Sequence, residues 1–378
     1  MSRLKCWREI RGSLSAPSRG LVDLRAETAS RLPILFRVDA NATVGLGHLM
    51  RCLSVADELA PRGAEPVFIC ADKQFAEYVE ERGYSYVSLN SSYHEMSEEL
   101  PRLLHLVETM ECRLLVVDSY YVDDEYLESL SSRTEVVYFD DFGSRRLPVD
   151  ILVNYNVSAN RDMYRGLYEN RTTELLLGSS YAPLRKQFDI QVLPEIKPSV
   201  ENVAILVGGA DPEHMAARIL AALDEEGDLI HEVCFHFVLG SIAPDIEAFE
   251  ERASDDNNVV VHQGIEDMAT FMCAMDAAVS ASGTTLYELC ACGIPTVNYC
   301  LSDDQYAPAH SFSSEGAMLF GGDYRDERKS LTPLVSALSD LCSDTALRRS
   351  LRKASAKVVD GEGSKRLARL FLSHRGAS

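Results

Sequence analysis

Residues 34–59 read ILFRVDANATVGLGHLMRCLSVADEL and divide into a strand, a loop and a helix. Ile34, Leu35, Phe36 and Val38 form a short apolar run suited to a strand buried in a parallel sheet. Periodicity is lost from Asp39 to Val44, after which Gly45 and Gly47 let the backbone turn tightly and approach a ligand closely. Beyond them Leu49, Leu53, Ala56 and Ala60 recur as the apolar stripe of an amphipathic helix. His48 therefore stands where that helix begins.

A helix N-terminus presents unpaired N–H groups and about half a positive charge, which favours an anion and disfavours protonating an imidazole. A histidine held neutral there can take a proton from water near neutral pH. A histidine that only caps backbone groups would read the same way. The dinucleotide fingerprint G-x-G-x-x-G is absent, because Met50 occupies its last position.

The length of 378 residues fits two domains of about 150–200 residues each. A hydrophobic content of 46% and a charged content of 25% are ordinary for a soluble globular chain. The formal charge of −21 lacks the basic stripe of a nucleic-acid surface, yet helix ends and local arginines can still hold a small anion. Ten cysteines scattered through apolar runs, without C-x-x-C, fit small buried hydrophobes in a reducing compartment. No stretch reaches the roughly 18 apolar residues of a membrane span, and residues 1–32 lack the apolar centre of a secretory signal. A cytoplasmic monomer is expected, with a loosely ordered extension at residues 1–32.

Strand and helix patterns alternate along the chain. Apolar runs at 66–70, 84–89, 114–117, 136–139 and 151–153 are separated by helical stretches at 74–82, 97–110 and 125–130. This is the pattern of a parallel sheet covered by helices on both faces. Polar residues fall at the carboxyl ends of those strands, where such sheets bind ligands: Asp39, Asp118 with Tyr120, Asp140 with Asp141, Asn154 with Asn156. Each alone also reads as a turn or cap residue. Asp140 and Asp141 do not form a metal pair, since adjacent strand residues point to opposite faces.

A proline-bearing passage, 192–199, marks a domain boundary. The expected domains are 33–195 and 196–345, followed by a helical segment at 346–378. Alternation resumes with strands at 203–207, 232–239, 259–262 and 277–280, and 295–299 is the last one it predicts. Gly208 and Gly209 precede a helix expected from Pro212, which suits backbone contacts to a phosphate. Ser282, Gly283, Thr284 and Thr285 open another helix with backbone and hydroxyl donors, and Glu288 lies one turn inside, placed to accept ribose hydroxyls. A capping box explains either loop alone. Together they point to a nucleoside diphosphate.

Seven segments carry a resemblance to a known family: FRVDANATVGLGHLMRCLSVA (36–56), VVDSYY (116–121), YFDDFG (138–143), DILVNYN (150–156), LLGSSYAPLRKQF (176–188), VGGADPE (207–213) and SASGTTLYEL (280–289). Their order and spacing resemble the nucleotide-sugar hydrolases of pseudaminic acid biosynthesis, which remove UDP from UDP-2,4-diacetamido-2,4,6-trideoxy-β-L-altropyranose. The most specific string is R-x-D-x(5)-G-x-G-H-x-x-R-C, from Arg37 to Cys52. The resemblance implies a GT-B fold, two Rossmann-like α/β domains facing across a cleft. It places the catalytic histidine on His48 and the active-site tyrosine on Tyr120, with Asp39 and Tyr120 orienting the sugar or the imidazole. It sets uracil against Gly264 and Ile265, phosphates against Gly209, Thr284 and Thr285, and ribose on Glu288. Gly47, Arg51, Gly208 and Ser282 complete the expected substrate contacts. The implied reaction is hydrolysis at the anomeric carbon with neither metal nor cofactor. A GT-B transferase using the same UDP-amino-sugar pocket is the alternative, and a non-enzymatic UDP-sugar-binding protein is a third reading.

Overall fold

The computed structural model describes residues 32–374 except 42, 43, 45, 169–171, 210, 212, 226–232, 241, 242, 245 and 327. The expected N-terminal extension, all but Leu32, and the turn residue Gly45 lie outside the described residues.

The first sheet contains β1 (Leu32–Val38), β2 (Ala64–Cys70), β3 (Ser85–Ser88), β4 (Leu114–Asp118), β5 (Glu135–Phe139), β6 (Ile151–Asn154) and β7 (Glu174–Leu177). Its helices are α1 (Gly47–Leu59), α2 (Ala76–Glu80), α3 (Met96–Thr109) and α4 (Asp124–Ser131). The strands run in the order β3-β2-β1-β4-β5-β6-β7, and every pairing is parallel. The second sheet contains β8 (Asn202–Leu206), β9 (Cys234–Val238), β10 (Val259–His262), β11 (Ala277–Ala281), β12 (Thr296–Cys300) and β13 (Leu319–Asp323), in the order β10-β9-β8-β11-β12-β13, again all parallel. With it lie α5 (Met215–Glu225), α6 (Ile246–Asp255), α7 (Met268–Cys273), α8 (Thr285–Cys292) and α9 (Asp303–Ser314), followed by α10 (Thr332–Ser343), α11 (Thr345–Val358) and α12 (Gly363–Ser373).

Each sheet reverses its strand order once, between β1 and β4 in the first and between β8 and β11 in the second. Connections leave in opposite directions at such a reversal, so a crevice opens beyond the carboxyl ends of those two strands. The apolar run of β1 is buried on both sides. Ile34, Phe36 and Val38 pack with Leu49, Leu53 and Ala56 of α1, while Leu35 packs with Leu103 of α3 and Leu127 of α4.

Arg37 interrupts that run and is fully buried. Its guanidinium bonds Asp39 at 2.7 Å and Glu99 of α3 at 3.1 Å. Glu99 also accepts from Tyr126 of α4 at 2.9 Å and from Ser91 at 2.7 Å. One buried ion network thus ties α3 and α4 to the carboxyl end of β1.

The last described helix packs back against the first. Leu367, Ala368 and Phe371 of α12 join the cluster that contains Leu49 and Leu53 of α1. At the start of α12, a Cβ on Gly363 would lie 2.0 Å from the Ala182 carbonyl oxygen, so only glycine permits this approach. His374 closes the contact between Glu135 at 2.8 Å and Glu174 at 2.7 Å, the first residues of β5 and β7.

Four elements were not expected from alternation: β7, β13, α6 and α9. Both strands are edges of their sheets. β13 carries Gly321, where a Cβ would lie 2.7 Å from a Val297 methyl carbon, and Gly322, whose φ is +143°. A strand built around such glycines has little apolar alternation to read. Removing Glu99 should strand Arg37 in the core, so Glu99→Ala should cost about 3 kcal/mol of stability. A urea midpoint equal to wild type would show that Asp39 alone satisfies the arginine.

Candidate active site

The crevices of the two sheets open onto one cavity of about 450 Å³. From the first half it is lined by Gly47, Met50, Arg51, Tyr155 and Arg185, among others, and from the second by Gly208, Gly209, Gly240, Gly264, Ile265, Thr284, Thr285 and Glu288. Nine of the ten expected substrate contacts are therefore brought together. The exception is Ser282, which is buried with its hydroxyl donating to the Tyr299 carbonyl at 2.7 Å and so pins a strand end.

Two helix starts face this space. α1 begins at Gly47 without a side-chain cap and with no acidic residue in its first turn. α8 begins at Thr285, and the Thr284 side chain makes no cap bond either. Both leave N–H groups for an anion. The expected third helix start is different. α5 begins at Met215, and its first amides are taken by the Asp211 carboxylate, Met215 N–H at 2.8 Å and Ala216 N–H at 3.0 Å. The Gly208-Gly209 turn therefore offers close backbone approach rather than a helix dipole. Gly240 supports that turn, since a Cβ there would lie 1.8 Å from the Gly209 carbonyl oxygen.

His48, Tyr120 and Asp39 do not line the cavity; they lie beside it, at the reversal of the first sheet. β1 and β4 end side by side, with the Asp39 N–H donating to the Asp118 carbonyl at 3.1 Å. Asp118 is fully buried, and its Oδ1 receives His48 Nδ1 in a short hydrogen bond. Burial opposes ionisation of Asp118, but Arg51 and then His48 outweigh it and hold the carboxyl well below its usual range. An ionised acceptor favours a proton on the imidazole Nδ1 that faces it. Asp39 keeps one oxygen on Arg37, while its Oδ2 is buried with no hydrogen-bond partner among the described residues.

Arg51 needs a different reading from the one expected. Its Nε and Nη2 donate to Asp118, both at 2.6 Å; Nη1 and Nη2 donate to Asp141 at 2.9 and 3.0 Å; Nη1 also reaches Tyr155 at 3.0 Å. A guanidinium has five N–H donors, and these five bonds use them all. It also lies over the Phe139 ring, 5.0 Å from the centroid. Arg51 edges the cavity but organises its wall instead of offering donors to a ligand. Tyr120 is similarly engaged. Its hydroxyl donates to Asp141 at 2.9 Å and its ring meets the His48 ring edge-on at 4.6 Å. Burial, with Asp141 next, pushes that hydroxyl well above its usual range, so it stays a donor.

Glu288 is paired as well, its Oε1 accepting from Arg185 at 2.8 Å. Burial pushes this carboxyl up and Arg185 partly offsets the effect. Sequence reasoning placed Asp118 at a strand end without its partners, and passed over Asp141 as a possible ligand, Arg185 and Gly240. The spacing of His48 and Arg51, three apart on one helical face, was the available signal for a shared partner. Among the described residues no group of three or more His, Cys, Asp or Glu is placed to hold a metal ion. No described helix is long and apolar enough to cross a membrane.

No family model matches the chain. It is 27% identical over 334 residues to the spore coat polysaccharide biosynthesis protein SpsG of Bacillus subtilis, covering 86% of this chain and 93% of that protein. It is 25% identical over 259 residues to the UDP-2,4-diacetamido-2,4,6-trideoxy-beta-L-altropyranose hydrolase of Campylobacter jejuni, covering 68% and 87%. Among solved structures, MurG of Acinetobacter baumannii superposes with a TM-score of 0.65 at 13% identity, covering 90% of this chain and 99% of that one. The MnaA–UDP structure of S. aureus gives 0.63 at 11% identity, covering 91% and 97%. The fold is GT-B, and the chain is similar in sequence to one UDP-sugar hydrolase and to one polysaccharide biosynthesis protein.

Proposed function

We propose that this protein hydrolyses a UDP-linked amino-sugar to UDP and free sugar, and that the sugar is the 2,4-diacetamido-2,4,6-trideoxy-altropyranose named for its Campylobacter relative. The observation that carries this reading is the buried His48–Asp118 pair, one residue beyond Gly47 in the wall of a cavity that two uncapped helix starts face. Uracil lies against Gly264 and Ile265, and ribose on Glu288. The diphosphate sits between the starts of α1 and α8, where Thr284, Thr285 and the Gly208-Gly209 backbone meet it.

His48 Nε2 takes a proton from a water that attacks the anomeric carbon. The bond from that carbon to the β-phosphate oxygen breaks, and its electron pair leaves with UDP. Asp118 stabilises the imidazolium so formed, and Arg51, held by Asp141, keeps Asp118 in place. Backbone and hydroxyl donors at the helix starts meet the charge that develops on the departing diphosphate. Transfer to an acceptor hydroxyl is the second reading, supported by the likeness to a polysaccharide biosynthesis protein. Incubation with UDP-amino-sugars, followed by NMR, separates the two. UDP and reducing sugar appear without an acceptor only under hydrolysis.

His48→Gln should lower turnover by ~10²–10⁴-fold and leave UDP affinity nearly unchanged; undiminished turnover would remove this residue from the chemistry. Asp118→Asn should lower kcat by about 10²-fold or more through the wrong imidazole tautomer. A normal kcat in a folded Asn variant would make Asp118 structural only. Glu288→Ala should weaken UDP binding about 10- to 100-fold in calorimetry, the scale for hydrogen bonds to a charged group. Equal affinity would move the ribose elsewhere.

A further inference from the structure

One face of the second sheet lines the cavity through Leu206 of β8 and Val238 of β9, together with Met268 and Met272 of α7. Two imidazoles interrupt this apolar face. His236 of β9 and His262, the last residue of β10, stack with their rings 5.2 Å apart. Phe271 of α7 meets both edge-on, at 6.3 and 5.0 Å. His236 Nδ1 is 2.9 Å from His262 Nε2, and His236 Nε2 is 3.0 Å from the Asn202 amide oxygen. A polar chain therefore crosses the sheet diagonally, from the first residue of β8 to the last of β10. Neither ring lines the cavity, yet each stands two residues before one that does, Val238 after His236 and Gly264 after His262.

A valine would fill a covered strand face with no hydrogen-bonding demand, whereas imidazoles placed there need partners. Neutral rings complete the chain with one proton on each Nε2: His262 donates to His236, and His236 donates to Asn202. A further proton on His236 Nδ1 would set donor against donor, and charging both rings would set like against like. Among the described residues neither ring is bonded to a carboxylate. Phe271 faces the pair from α7 and the uncharged Asn202 from β8, while Cys234 shares the face on β9. The charged groups around the chain have other partners or face water. Asp276 takes the Asn202 N–H at 2.9 Å and pairs with Lys197 at 3.1 Å. Asp267 caps α7 by accepting the Thr270 N–H at 3.0 Å, and Glu266 is exposed. Burial pulls both imidazoles below their usual range, and His262 pulls His236 down further.

We propose that Asn202, His236 and His262 are positioning residues for the loop that carries Gly264 and Ile265, and that nucleotide affinity falls in mild acid because this loop needs both imidazoles neutral. The proposal rests on the UDP reading above, which sets uracil against that loop, and deepens it by naming what holds the loop and what releases it. Rings exposed to water by a displaced loop take up protons more readily than rings stacked under Phe271, so binding of UDP expels protons. The support is complete above the ordinary imidazole range, near about pH 6.5, and is lost as pH falls below it.

The test is UDP binding by calorimetry at about pH 8 and about pH 5.5, on either side of that range. Wild type is compared with a double variant, His236→Gln with His262→Gln, whose amides hydrogen-bond but do not titrate. Any titration of the ligand or of other side chains is common to both proteins and cancels. From the higher to the lower pH, wild-type affinity should fall about 10-fold more than that of the double variant, the scale of one proton over one pH unit. An equal fall in the two proteins would overturn the proposal. Should the double variant not fold, NMR titration of the wild-type imidazoles decides. UDP should lower the protonation midpoints of His236 and His262, and midpoints unmoved by UDP would overturn the proposal. UDP bound with equal pH dependence in both proteins removes the relay alone. No UDP binding at either pH would sink the nucleotide reading and this proposal with it.

Discussion

One buried carboxylate orders the wall beside the cavity. Asp118 ends β4 beside the end of β1 and is removed from water. Left alone there, a charge would be costly, and two partners on one helical face offset it. Arg51 meets both oxygens and His48 meets one. That requirement fixes the rotation of α1 about its axis, the tautomer of the imidazole and the distance of both from the sheet. Asp141 holds the far side of the guanidinium, and Tyr120 ties Asp141 back onto the His48 ring. Disturbing any member should therefore be felt at His48 Nε2.

The cavity side answers a different problem, which is how a chain with a formal charge of −21 would hold the diphosphate proposed for it. Of the two arginines lining the cavity, Arg51 has its five donors engaged, while Arg185 has one bond to Glu288. Local positive potential is left to peptide groups at the starts of α1 and α8. Asp211 closes the start of α5 with its own carboxylate, so the helix nearest the Gly208-Gly209 turn contributes no such field. The pull is short-ranged and directional.

Much of this architecture was legible in the residues. Strands buried on both faces read as apolar runs, and the strand–loop–helix at 34–59 placed His48 at a helix start. The loops around Gly209, Gly264, Thr284 and Glu288 converge because parallel strands put all of their outgoing turns on one edge. Edge strands were harder. Glu174–Leu177 is a four-residue run that suits a helix as well as a strand, and Leu319–Asp323 owes its glycines to close packing, not to alternation. α9 was missed for a related reason, having Pro308 inside and only two buried residues. At the site, side-chain partners could not be read. His48 and Asp118 are 70 positions apart, and only the strand order brings β1 beside β4. Arg51 was expected among the substrate contacts, and its partners Asp118, Asp141 and Tyr155 lie at the ends of strands whose neighbours the sequence does not state.

Water attack at the sugar carbon is best tested by turnover in water enriched in heavy oxygen, followed by mass spectrometry of both products. One labelled oxygen should appear in the released sugar, at its anomeric position, and none in UDP. Label found in UDP would mean cleavage at phosphorus, and failure to release a sugar from any UDP-amino-sugar would contradict hydrolysis altogether.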